Sequence, residues 1–405
     1  MVEFSVYRPF DPQAAIDGEK AFGEPRYVAY VVRRRGKIQW RDLGSAKAID
    51  ATAENLRQSL RDPERRDVET LARALDEKVM QPVRALLGDA GELLVSPDGE
   101  LNLIPFEALA DERGNYLIEN YSFTYLTSGR DLLRMQTART SKSDLLVIAD
   151  PTFGMPAADE KLTADGRTKT TVSRRKRRNL NAARDMSEVY FAPLGGTAQE
   201  ARAIGKIFPN ATFLTKKQAT VTAVKLIAAP RILHIATHGF FLENGDTNTP
   251  TAIRGLAANS KAENPLLHSG LALAGANRRN QTGDDGILTA LEASGLNLWG
   301  TKLVVLSACD TGLGEVKTGE GVYGLRRAFV LAGAESLVMS LWSVSDYATR
   351  ELMTNYYKNL KQGIGRGAAL RQVQLEMLKK NGRRHPFYWA GFIQSGEWAN
   401  LDGKR

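Results

Sequence analysis

The chain has 405 residues, a net charge of +9 and a single cysteine. That length suits two or three domains. One cysteine excludes an internal disulfide and a multi-cysteine zinc site, and fits a reducing cytoplasm. No apolar run is long enough to cross a bilayer, and the N-terminus, MVEFSVYRPF, lacks the basic-then-apolar pattern of a secretory signal. The positive balance raises nucleic-acid contact as a reading. Much of it, however, sits in Arg174, Arg175, Lys176, Arg177 and Arg178, with no interleaved aromatics to stack bases; a solvated loop is the plainer account.

Residues 1–25 contain Pro9, Pro12 and Pro25 and read as linker. Tyr27 to Val32 and Lys37 to Trp40 read as a hairpin across an Arg-Gly turn. Residues 46–88 read as two helices, with Leu71, Leu75, Val79, Val83 and Leu86 on one face and Pro82 as a break. Leu93 to Ser96 is a strand closed by a Pro-Asp-Gly turn. Leu101 to Leu109 enters a short helix, Tyr116 to Leu126 holds a strand pair, and Leu145 to Ala149 is a buried strand. This predicts an α/β unit over 26–150 that contains no His or Cys. Residues 151–190 are polar and basic and read as an exposed insertion.

A second unit over 191–400 begins near Leu194. Thr197 and Glu200 stand at capping-box spacing. Ala211 to Leu214 is a strand, Thr220 to Ala228 a helix, and Arg231 to Gly239 (RILHIATHG) a buried strand ending at His238. Residues 241–270 read as loop and Ile287 to Ala293 as helix. Leu303 to Gly312 (LVVLSACDTG) is a buried strand closed by a Gly-containing loop that carries Cys309. Val322 to Leu331 reads as helix, Ser336 to Trp342 as strand, Asp346 to Leu360 and Ala368 to Leu378 as helices, and HPFYWAGFIQSGEW as an aromatic packing segment with a last strand. Strands alternating with helices predict parallel pairing.

Functional groups of open α/β sheets gather at the carboxyl ends of strands. Cys309 and His238 both follow such strands. A thiol with a free pKa of about 8.5 needs a base beside it to act at neutral pH, which makes Cys309 the candidate nucleophile and His238 the candidate base. The amides of Gly239 and Cys309 are the natural oxyanion donors. A lone Cys is otherwise a small buried hydrophobe, but Asp310, Thr311, Gly312 and Gly314 put Cys309 at a polar loop boundary. His234 lies inside its apolar run and reads as a core histidine. Four residues along a strand separate it from His238 by about 13 Å, which argues against a shared metal. His268 and His385 read as structural. Gly319, Gly321 and Gly324 spell GxGxxG, a weak dinucleotide signal that does not directly follow a strand. The residues call for no metal and no cofactor.

THGFF at 237–241, SACDTGLGEV at 307–316, GEGVYGLRRAFVLAGA at 319–334 and SLWSVSD at 340–346 resemble the CHAT family, caspase-like cysteine peptidases related to separase and usually preceded by tetratricopeptide repeats. SPDGELNLIPFEAL at 96–109, LTSGRDLL at 126–133 and HPFYWAGFIQSGEW at 385–398 extend the resemblance over most of the chain. It implies a caspase-like α/β three-layer sandwich with a mostly parallel sheet, preceded by a pseudo-caspase unit. It places the dyad on His238 and Cys309. The strand Ser340 to Val344, with Trp342, Ser343 and Val344, corresponds to the one that pairs with extended substrate. Asp346 matches a carboxylate that holds a basic P1 residue; its position equally suits a helix cap. Asp310 and Glu320 are near enough in sequence to contribute. The resemblance implies an endopeptidase acting on partner proteins in bacterial signalling or defence, with an upstream repeat domain or another partner governing activation and nucleic acid involved only indirectly. Arg174 to Arg178 gains a second reading as a self-cleavage site. A non-catalytic scaffold of the same fold is the competing reading.

Overall fold

The computed structural model describes residues 1–13, 21–137, 139–155, 160–162, 168–170, 189–241, 264–278, 284–308, 314–317 and 321–404. Strands β1 (Val2–Tyr7), β2 (Arg26–Val31) and β3 (Gln39–Ser45) are followed by helices α1 (Ala46–Leu60), α2 (Val68–Val79) and α3 (Gln81–Leu87). Then come β4 (Glu92–Ser96), α4 (Leu117–Asn120), β5 (Ser122–Tyr125), α5 (Asp131–Arg134) and β6 (Ser143–Pro151). A hairpin of β7 (Glu160–Leu162) and β8 (Thr168–Thr170) precedes α6 (Gly195–Ile207), β9 (Thr212–Lys216), α7 (Val221–Lys225) and β10 (Pro230–Ala236). Three strands, β11 (His238–Phe241), β12 (Ser269–Ala272) and β13 (Ile287–Thr289), make a small antiparallel sheet of their own. The chain closes with α8 (Ala290–Ser294), β14 (Leu303–Ser307), the hairpin β15 (Gly314–Lys317) and β16 (Gly321–Gly324), α9 (Leu325–Leu331), β17 (Ser336–Ser340), α10 (Asp346–Lys361), α11 (Arg366–Leu378) and β18 (Phe392–Gly396).

Eleven of these strands form one sheet in the order β3-β2-β1-β4-β5-β18-β17-β14-β10-β6-β9. Pairing is antiparallel at β1–β2, β2–β3 and β17–β18, and parallel at the remaining neighbours. The fold is therefore mixed α/β with a mostly parallel sheet, as alternating strands and helices predict. Every residue of β14 and β17 is buried. Side chains alternate across a strand, so both faces are covered there, the usual condition of a parallel sheet. Helices α6 and α10 pack on each other, and α6 packs on β6 and β10. No helix among the described residues is long and apolar enough to cross a membrane.

The organisation differs from the sequence expectation in several places. Residues 1–25 are not all linker: β1 pairs with β2 and β4, and Val2 and Phe4 are buried. The three prolines flank this alternating stretch rather than interrupt it, so its ladder is unbroken. The strand expected to close the 26–150 unit, β6, pairs with β10 and β9 and so belongs with the second half. The two halves are not separate sheets, because Ser395 of β18 pairs with Tyr125 of β5. The His strand leaves the sheet after Ala236, and His238 opens a different strand. Ile287 to Thr289 is strand rather than helix; the capping box of Thr289 and Glu292 starts α8 one residue later. β17 ends at Ser340, short of the Trp342 expected from the apolar run and of the Val344 implied by the resemblance. In the stretch expected to be an exposed insertion, Val189 is buried. Arg174 to Arg178 lie outside the described residues.

Phe4 carries the test of the first difference. Its ring lies 5.3 Å from that of Phe106 and is 3% exposed. Phe4→Ala is expected to lower the unfolding free energy by roughly 3–5 kcal/mol, read as a fall in the denaturant midpoint. A linker residue would leave that midpoint unchanged.

Candidate active site

Strands β10 and β14 are parallel neighbours whose register sets Ala236 opposite Ser307. His238 and Cys309 each follow that matched pair by two residues. A cleft opens beside these strand ends, with about 460 Å³ of empty space including its open mouth. Thr237, Ser307, Ala308 and Ser340 line it from the strands; Leu194, Gly196, Thr197 and Glu200 line it from the start of α6; Trp342, Val344, Asp346 and Thr349 line it from the start of α10 and the segment before it. The residues immediately before His238 and Cys309 are thus both on its wall. Cys309, Asp310, Gly319 and Glu320 lie outside the described residues.

His238 is held by its backbone and by its ring. Its strand β11 pairs with β12, with His238 opposite Ala272, and Gly239 pairs with Leu271. The hydroxyl of the preceding Thr237 donates to the Ala272 carbonyl. His238 Nε2 lies 2.8 Å from the carbonyl oxygen of Ala192. A carbonyl only accepts, so Nε2 carries the proton and Nδ1 is left as the basic nitrogen. Phe153 and Phe191 flank the imidazole, with ring centroids 5.3 and 5.6 Å away. They belong to a small second core with Val189, Phe240, Ala272, Ala276 and Ile287. Burial among these groups holds the His238 imidazole below its ordinary pKa of 6.5, against the opposite pull of the Ala192 carbonyl and the Asp346 carboxylate. A neutral imidazole at neutral pH is the form a general base needs.

Asn277 fixes the carbonyl that orients this histidine. Its Oδ1 accepts from Phe191 N–H at 3.0 Å, and its Nδ2 donates to Phe191 C=O at 2.9 Å and Gly154 C=O at 3.0 Å. The backbone next to Ala192 is therefore clamped on both its polar groups. Neither Asn277 nor Ala192 is visible from sequence, since a backbone carbonyl has no residue signature and Asn277 follows no motif.

Asp346 had two sequence readings, pocket and cap. The cap of α10 is Ser345, whose hydroxyl accepts from Ala348 N–H. Asp346 is the first helical residue, and its carboxyl reaches Gly196. A Cβ on residue 196 would sit 2.6 Å from Asp346 Cγ and Oδ2, so the carboxyl occupies space that only glycine leaves open. Trp342 is buried, with Nε1 donating to the Phe387 carbonyl at 3.2 Å. Ser343 is exposed and does not line the cleft.

The capping box expected of Thr197 and Glu200 does not form. Helix α6 starts at Gly195, so Glu200 sits in its second turn, beyond reach of the helix start. Thr197 Oγ1 instead donates to the Leu194 carbonyl and accepts from Asp150 N–H. Glu200 turns inward: Oε2 accepts from Ser307 Oγ at 3.0 Å, and Oε1 lies 3.3 Å from His234 Nε2. His234 is fully buried, with Nδ1 at 2.9 Å from the Tyr357 hydroxyl. His385 Nδ1 accepts from Phe387 N–H; neither His385 nor His268 lines the cleft. Gly321 and Gly324 stand in β16, paired with β15, rather than in a loop after a parallel strand.

Comparison with known proteins agrees with the sequence resemblance. Residues 69–397 match the CHAT domain family. The chain is 24% identical over 329 residues to tetratricopeptide repeat protein 28 of Homo sapiens and 23% identical over 328 residues to that of Mus musculus. Each alignment covers 78% of this chain but 12% of the relative, so the chain spans only a small part of these relatives. Among solved structures, it is similar to the Arg-specific cysteine proteinase gingipain R (TM-score 0.43, 10% identity, 88% of this chain and 75% of that one). It is also similar to the Saccharomyces cerevisiae separase–securin complex (TM-score 0.43, 11% identity, 91% of this chain and 21% of that one).

The aromatic cage gives a direct test of what sets the histidine's charge state. Phe191→Ala admits water beside the ring and weakens the desolvation that opposes protonation. The His238 pKa is expected to rise toward 6.5, measured by NMR titration of the imidazole C–H signals. An unchanged value would assign the shift to another cause.

Proposed function

We propose that this chain, which belongs to the CHAT domain family, is a cysteine endopeptidase with Cys309 as nucleophile and His238 as general base. The observation that carries the reading is the register of β10 and β14, which brings the residues leading to His238 and Cys309 side by side at one cleft. Cys309 Sγ attacks the scissile carbonyl carbon while His238 Nδ1 takes the thiol proton. The same nitrogen returns that proton to the leaving amine, and water then releases the acyl group from sulfur. The amides of Gly239 and Cys309 receive the oxyanion. The Ala192 carbonyl orients the base and stabilises its protonated form, the part a third side chain plays in other sites.

The substrate is a partner protein presenting an extended segment alongside Trp342, Ser343 and Val344, where main-chain hydrogen bonds supply affinity. Its P1 residue is Lys or Arg, received by Asp346 in the cleft. Support for this comes from Ser345 taking the capping role and from the seat Gly196 provides for the Asp346 carboxyl. We place the reaction in the cytoplasm, in signalling or defence. Asp310 and Glu320, near Cys309 in sequence, are further candidates for contributing charge to recognition of the P1 residue.

A randomised peptide library incubated with the unaltered protein and with Cys309→Ala, read by mass spectrometry, tests this. Cuts after Lys or Arg are expected only from the unaltered protein, and Asp346→Ala should lose that preference. Equal P1 preference in Asp346→Ala would remove Asp346 from the pocket, and binding without any cleavage would favour the scaffold reading. The pH profile gives a separate check. Activity needs neutral His238, whose pKa burial depresses, so kcat/KM should hold through neutrality and fall on an acid limb below pH 6.5. A limb above that value would exclude His238 as the base that limits it.

A further inference from the structure

We infer that Glu200 is a second specificity-determining carboxylate of this cleft, reading the far end of a long cationic side chain and thereby selecting arginine over lysine; this rests on the peptidase reading above. Glu200 is 3% exposed and lines the same cleft as Asp346. A buried carboxylate is costly unless its charge and lone pairs are met. Here they are met only in part. Oε2 accepts from Ser307 Oγ, whereas Oε1, although 3.3 Å from His234 Nε2, makes no hydrogen bond. A carboxylate offers about four acceptor positions, so Glu200 keeps acceptor capacity that Ser307 alone does not fill. No Lys or Arg is present among the described residues that line the cleft to neutralise it.

The spacing of the two carboxylates decides which cation fits. Gly196 and Glu200 are four residues apart on α6 and share one face, about 6 Å apart along the axis. The Asp346 carboxyl sits against Gly196. The cleft therefore presents two acidic positions a helical turn apart, next to the apolar walls of Trp342 and Val344. A lysine ammonium is a compact charge that satisfies one carboxylate at a time. An arginine guanidinium is planar, donates from both edges and stacks on aromatic faces. It can bridge the two positions while its stem lies on the apolar wall. Glu200 would then act at the substrate and be more than a partner for His234.

Peptide binding to the Cys309→Ala protein, measured by calorimetry, tests this without requiring turnover. Three peptides are used, identical but for a C-terminal Arg, Lys or Ala. The Arg peptide is expected to bind about tenfold more tightly than the Lys peptide. Adding Glu200→Gln should bring the two to near parity with the Lys peptide little affected, while Asp346→Ala should weaken both. Should Glu200→Gln fail to fold, Glu200→Asp, which keeps the charge but withdraws it by one methylene, should still narrow the Arg-to-Lys ratio. An unchanged ratio in either variant, or an equal loss across all three peptides together with a lowered melting temperature, would overturn the inference and leave Glu200 a structural partner of His234. Arg and Lys peptides binding no better than the Ala peptide in the unaltered pocket would instead overturn the acidic-pocket reading on which it rests.

Discussion

The parallel pairing of β10 with β14 is the constraint on which the rest of the site depends. Both strands are rich in β-branched and leucine side chains. β14 is buried throughout, and only Arg231 of β10 is partly exposed. A one-residue slip in such a strand would turn its apolar set to the wrong face, so the register is strongly fixed. Because it is fixed, the residues that follow the strands leave the sheet at matched positions. Two chain segments more than 70 residues apart in sequence therefore reach the same cleft through the strand register alone, without any contact between the side chains that follow having to bring them together. The apolar packing of the sheet does the positioning, and the polar residues beyond it are free to be chosen for chemistry.

What surrounds His238 is a second, smaller solution to a different problem. The base proposed at His238 must be neutral yet able to accept a proton at little cost. The Phe153–Phe191 cage removes water and disfavours the imidazolium; the Ala192 carbonyl and Asp346 favour it. Burial is the larger influence, so the resting state is neutral. The two favourable groups stay in place to receive the charge when it forms, which is what preorganised stabilisation requires. Asn277 makes that arrangement rigid, because it holds the backbone bearing the carbonyl at both the N–H and C=O of Phe191. The carboxylate that helps stabilise the imidazolium is also the one proposed to hold the P1 cation, so occupancy of the cleft and the basicity of His238 are electrostatically coupled.

The parts of this design that follow from local pattern were legible in the sequence. Buried runs such as LVVLS and RILHIA announce parallel strands, and their polar, glycine-containing exits announce the site. What was not legible depends on where elements begin and end. The alternation of Val2 and Phe4 was outweighed by nearby prolines, although those prolines fall outside the strand. β6 read as the end of one unit because it is contiguous with it in sequence, while its partners, β10 and β9, come more than 60 residues later. Thr197 and Glu200 have the spacing of a capping box, yet α6 starts at Gly195 and passes Glu200 beyond its own first turn. Carbonyl oxygens such as that of Ala192 leave no trace in side-chain identity at all.

The two helix starts show how much chemistry such a boundary decides. If α10 began one residue later, Asp346 would be the capping residue and its carboxylate would be turned onto the helix's own amides. Ser345 takes that role instead, and Asp346 is released toward α6. If residue 196 bore a side chain, its Cβ would occupy the place of the Asp346 carboxyl. If α6 began three residues further on, with Thr197 as its cap, Glu200 would fold back as part of a capping box rather than turn to Ser307 and His234. Ser345 and Gly196 thus relieve the Asp346 carboxylate of capping and give it room, while the earlier start of α6 leaves Glu200 to turn to Ser307 and His234. The same first turns also direct backbone N–H groups, and the positive ends of two helix dipoles, toward the mouth of the cleft.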